Sequence, residues 1–91
     1  VEPIIILNRK YWNKKLDENI GINGDLTIES GAKLNQNSFA INLAGDWTNS
    51  GTFTQGTQTV TLDGSSAQTI GGSTATTFYN LTAKIAVVVL L

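Results

Sequence analysis

The chain has 91 residues, six of them basic and seven acidic, for a formal net charge of -1, and it contains no cysteine and no histidine. Those counts exclude disulfide staples, thiolate chemistry, histidine-ligated metal and every triad built on a histidine base. Charged residues make up only 14% of the chain and the two signs nearly cancel, so the basic surplus that draws a protein to nucleic acid is missing and no nucleic-acid partner is expected.

Residues 1–19 read as an N-terminal cap or linker. The apolar run Ile4-Ile5-Ile6-Leu7 follows Pro3 and predicts an initial strand; Tyr11 to Glu18 then reads as a loop or a short amphipathic helix. Arg9, Lys10, Lys14 and Lys15, four of the six basic residues, fall in this segment beside Tyr11 and Trp12.

From residue 20 the chain repeats itself. Ile20-Gly21-Ile22-Asn23-Gly24 is matched by Ile41-Asn42-Leu43-Ala44-Gly45 and by Val60-Thr61-Leu62-Asp63-Gly64, a period of about 20 residues that lies in the solenoid range. Gly24-Asp25-Leu26-Thr27 is echoed by Gly45-Asp46-Trp47-Thr48, and Ser30-Gly31-Ala32 by Ser50-Gly51-Thr52, with Leu34 and Phe53 following. A fourth, degraded copy begins at Leu81 with Ala83, and Ile85 stands where its glycine is expected. Residues 20–84 therefore read as solenoid repeats. Residues 85–91 form an apolar end strand without cap chemistry, an aggregation hazard if bare. That run suggests a chain cut from something longer or one that ends against a partner, and the absent initiator Met suggests a processed product or an excerpt of a longer protein. The run is also far too short for a membrane span, and no basic, then apolar, leader pattern opens the chain.

The pattern has a mechanical reading. Ile41-x-Leu43 and Val60-x-Leu62 alternate with period two, which turns the aliphatic residues inward and leaves Asn42 and Thr61 outward. The recurrent glycine supplies a positive φ or a tight corner for each coil. These features predict an all-β chain folded as a parallel β-helix (β-solenoid) with coils of about 20 residues, with Ile20, Ile41 and Val60 in one interior ladder. Ile22, Leu43 and Leu62 form a second ladder, and Leu26 and Trp47 a third. The Asn23-Gly24 and Asp63-Gly64 pairs are also hairpin cues, so a small antiparallel β-sandwich is the alternative. The single-coil period and the long polar arcs between apolar triplets favour the helix. Residues 1–19 read as a cap over the first coil, which solenoids need to protect their open edge, or as part of a preceding domain.

The segments Gly24 to Ala32 and Gly45 to Phe53, continued by Thr59 to Gly64, Ala67 to Ile70 and Phe78 to Thr82, resemble repeats of long secreted bacterial surface proteins. They are similar to the right-handed parallel β-helix regions of adhesin-like, autotransporter-like proteins, and the right-handed sense of the coil is what that resemblance implies. The resemblance covers about residues 20–84. It implies an extracellular or cell-surface location and a structural or adhesive role.

Chemistry is sparse. Asp25 and Asp46 occupy equivalent repeat positions and could stack as the carboxylate pair of a polysaccharide-processing enzyme, but Gly-Asp corners use such side chains to accept turn hydrogen bonds. With Asp63 they could form a calcium column, although the glycine-rich nonapeptide of calcium-binding rolls is absent. No catalytic residue, cofactor or metal site is assigned, and an enzyme is not expected. Tyr11 and Trp12 are the candidate ligand contact, with a carbohydrate-binding module as the alternative function. Trp47, aligned with Leu26, belongs to the core. Asn80-Leu81-Thr82 matches a glycosylation sequon. The expected role is a rigid spacer or contact surface. Its expected partners are neighbouring repeats or domains of a longer protein, surface carbohydrate, and other copies joined end to end.

Overall fold

The computed structural model describes residues 2–8, 13–84 and 87–89. Among them are twelve short strands: β1 (Ile5–Leu7), β2 (Asn13–Lys15), β3 (Ile20–Ile22), β4 (Leu26–Ile28), β5 (Lys33–Asn35), β6 (Ile41–Leu43), β7 (Trp47–Asn49), β8 (Thr52–Thr54), β9 (Thr59–Leu62), β10 (Gln68–Gly71), β11 (Asn80–Ala83) and β12 (Val87–Val89). They stack as a parallel β-solenoid of about four coils. Successive strands go to different sheets: a five-strand sheet ordered β1-β4-β7-β10-β12, a four-strand sheet β11-β9-β6-β3 and a three-strand sheet β2-β5-β8.

Every strand pair among the described residues is parallel, which overturns the antiparallel sandwich. The Asn-Gly and Asp-Gly pairs turn corners between sheets instead of closing hairpins. No helix occurs among the described residues, so from Asn13 to Glu18 the amphipathic-helix reading gives way to β2 at Asn13–Lys15, while Tyr11 and Trp12 lie outside the described residues. In the strand Lys14 stands level with Leu34, a backbone pairing that outweighs the local polarity of Asn-Lys-Lys. The segment before residue 20 thus supplies two strands in register with the next coil: β1 opposite β4 and β2 opposite β5.

The interior ladders have the register that the repeat predicts. Ile20, Ile41 and Val60 stand level, as do Ile22, Leu43 and Leu62, and Leu26 faces Trp47. The degraded fourth copy joins them, with Leu81 opposite Val60 and Ala83 opposite Leu62. Ile28, Leu43 and Trp47 are sealed from solvent. Phe53 and Phe78 meet the Trp47 ring edge-on at centroid distances of 4.8 and 5.1 Å.

Of the two reasons the spacing suggests for the repeated glycine, the tight corner holds and the positive φ does not. Gly24, Gly45 and Gly64 do not have positive φ; among the described glycines only Gly31 and Gly72 do. A Cβ at Gly45 would collide with the Gly24 carbonyl and the Asp25 carboxylate, and one at Gly64 with the Ala44 carbonyl. Close stacking of corner on corner excludes a side chain there.

The last coil departs from the others. After β10 the chain runs through residues 72–79 without a third-sheet strand, and it returns at β11. Thr76 and Phe78 of that segment close the interior. The Thr76 hydroxyl accepts from Trp47 Nε1 at 3.1 Å and Asn49 Nδ2 at 3.2 Å.

Candidate functional site

The repeated aspartates are corner fasteners. Asp25 Oδ1 accepts the Asp46 backbone N–H at 2.8 Å, and Asp46 Oδ1 accepts that of Thr69 at 2.9 Å. Each carboxylate ties its corner to the next coil, as Gly-Asp corners predict. Asp63 does not join the column. It follows Leu62, whose partner is Leu43, while the coil position level with Trp47 is taken by Ile70. The corner between β9 and β10 is wider than its predecessors, and Gln68 turns inward to fill it. The Gln68 amide donates to the carbonyls of Leu43 and Gly45 and accepts the Gly64 N–H. Among the described residues no group of three Asp or Glu side chains could hold a metal ion, so the three-aspartate calcium column is not assembled.

Two other buried amides do similar work. Gln36 Nε2 donates to the Gln58 carbonyl and its Oε1 accepts the Gly56 N–H. Asn49 accepts the Gly51 N–H while donating to Thr76. Their burial is invisible in the repeat pattern, because each amide sits where a ladder must bridge an irregular corner. Among the described residues no buried side-chain polar atom lacks a partner. The interior therefore leaves no orphaned group aimed at a ligand.

Tyr11 and Trp12, the candidate contact, lie outside the described residues. Trp47 is fully buried and belongs to the core. Tyr79 is exposed on the segment leading to β11. A cleft of about 410 Å³ opens at the N-terminal end, floored by Leu7, Leu16 and Ile22 and rimmed by Glu2, Lys14 and Glu18. At the other end Ile70, Phe78, Leu81 and Val89 line a smaller apolar groove of about 180 Å³.

The outer faces differ in chemistry. The four-strand sheet presents Asn42, Thr61 and Thr82 in one row. The three-strand sheet presents Asn13 and Lys15, Lys33 and Asn35, and Thr52 and Thr54, alternating with Lys14, Leu34 and Phe53 on the interior side. No strand of this sheet contains a carboxylate. The carboxylates sit instead at corners: Asp25 and Asp46 before the five-strand sheet, Glu29 after it, and Asp17 and Glu18 beyond β2.

No protein-family model, curated protein or solved structure matches this chain. The class that the fold defines is that of parallel β-solenoids.

Proposed function

We propose that the chain is a structural or adhesive repeat segment of a secreted or cell-surface bacterial protein, acting as a rigid spacer and as a contact surface. The observation that carries this reading is the unbroken interior register from β3 through β11, in a fold where, among the described residues, every buried polar side-chain atom has a hydrogen-bond partner. Parallel stacking makes each coil a template for the next, so length is added without changing the cross-section. The inward residues Leu81 and Val89 of the last coil are 43% and 57% exposed, the condition expected of a coil on which another can stack. Such an end suits neighbouring repeats, a following domain or a second copy of the chain. The sequence likeness to bacterial surface repeats supports the setting.

A nitroxide pair at Lys15 and Thr82, in the first and last coils, tests the spacer. A rigid rod gives one narrow distance distribution by electron-spin dipolar spectroscopy. A broad distribution, or turnover of a polysaccharide by the purified chain, overturns the reading.

A further inference from the structure

We propose that the outer face of the three-strand sheet binds linear acidic polysaccharide. The inference rests on the contact-surface half of the reading above and adds the class of ligand. Charge is unevenly placed in a chain that is almost neutral overall. Lys15 and Lys33 stand on adjacent strands of this face as diagonal neighbours, since Lys15 is level with Asn35 and Lys33 with Asn13. No described carboxylate forms an ion pair with either amine. The nearest acidic residues along the chain, Asp17, Glu18 and Glu29, are exposed on flanking corners and off the strands.

The remaining groups on the face are suited to an acceptor-rich ligand. Asn35 Oδ1 accepts the Asn37 backbone N–H at 2.8 Å, and the NH₂ of the same amide can donate to a ligand. Thr52 and Thr54 add hydroxyls in the same two rows. Phe53 is turned inward against Trp47, so none of the three described strands stands an aromatic ring on this face. With no ring standing out from these strands, the apolar side of a neutral sugar gains little from them. A chain of carboxylates gains charge-assisted hydrogen bonds from the amines, which are the stronger kind. Successive strands advance by about 4.8 Å along the solenoid axis, so a glycan lying along that axis meets a fresh row of donors at each coil.

The test uses the full chain, titrated calorimetrically at low ionic strength with polygalacturonate, with dextran of matched length and with duplex DNA. Polygalacturonate is expected to bind and to weaken as salt is added, because exposed charges are screened; dextran is expected not to bind. Replacing both amines, Lys15→Gln with Lys33→Gln, weakens binding by about fivefold or more through loss of the charge contacts. Lys84→Gln, which removes a charge beyond β11, leaves it unchanged, and Thr54→Lys tightens it. Circular dichroism confirms that each variant keeps its fold. Equal binding of dextran, tighter binding of DNA, indifference to the double substitution or no binding at all overturns the assignment. None of these outcomes alters the distance distribution that tests the spacer, so the two readings fail separately.

Discussion

Leu43 stands at the centre of the ladder formed by Ile22, Leu43 and Leu62 and has no exposed surface. A carboxylate there would be buried against aliphatic neighbours on both sides with no partner, which costs several kcal/mol even after the group neutralises itself. Leu43→Asp should therefore lose most of the fold's stability in urea denaturation, whereas Asn42→Asp, one residue away and outward, should shift it by about 0.5 kcal/mol or less. A small loss at Leu43 would mean that the interior ladder is not the source of cohesion. At this scale the sequence made the inward residues plain, because strict alternation leaves no other face for them. It placed the repeated glycines at tight corners, and of the two reasons it offered for them the positive φ is absent at Gly24, Gly45 and Gly64. Gly45 needs no special φ; it needs empty space beside the Gly24 carbonyl, and the approach of one coil to the next cannot be read from the residues of either alone. The buried amides of Gln36, Asn49 and Gln68 were illegible for the same reason: each is polar by type and buried only because a neighbouring coil offers a partner, backbone groups for Gln36 and Gln68 and the Thr76 hydroxyl for Asn49.

Strands and corners follow the repeat until the register is disturbed. Ser50-Gly51-Thr52 looks equivalent to Ser30-Gly31-Ala32, yet Thr52 pairs with Lys33, so the sequence match slips by one residue where Leu34 meets Phe53. The slip keeps the apolar pair in register, as burial of one face demands. The largest departure, residues 72–79, replaces a third-sheet strand, and its cohesion rests on few groups. Thr76 is the acceptor for both Trp47 Nε1 and Asn49 Nδ2. Thr76→Val preserves shape but leaves two donors without that acceptor, at a cost of about 1–3 kcal/mol for each buried group left unsatisfied. Thr76→Ser keeps the acceptor and should recover most of the loss. Urea midpoints of the two variants check this, with near-ultraviolet circular dichroism reporting the Trp47 environment. Equal midpoints would show that the segment is held by Phe78 packing alone. The candidate contact was less legible than the fold: Tyr11 and Trp12 drew notice as aromatics near positive charge, whereas the lysine face needs the pairing of β2 with β5 before Lys15 and Lys33 share a surface.

For the whole molecule, stability should be graded along the solenoid axis. A repeat stack is held by nearest-neighbour interfaces, so a coil with neighbours on both sides is harder to open than one with a single neighbour. β4 pairs with β1 on one side and β7 on the other, and its inward residues Leu26 and Ile28 are sealed. β11 pairs only with β9 among the described strands, and all four of its residues are exposed. The N-terminal end has an additional closure: Glu2 donates its N–H to the Gly21 carbonyl at 2.7 Å and its own carbonyl accepts the Asn23 N–H at 2.8 Å. Those bonds occupy the outer edge of β3, and Pro3 follows with no N–H to offer a further strand. Opening should thus start at β11 and move inward. Native-state hydrogen exchange on the chain should show amides of β4, β6 and β7 opening only with global unfolding, while those of β11 exchange through a local event of much lower free energy. Joining a further coil, or a partner that stacks on Leu81, should raise protection in β11 and leave β4 unchanged. Uniform protection from β4 to β11 would show instead that the coils open as one unit, and that adding length at the exposed end brings no local gain.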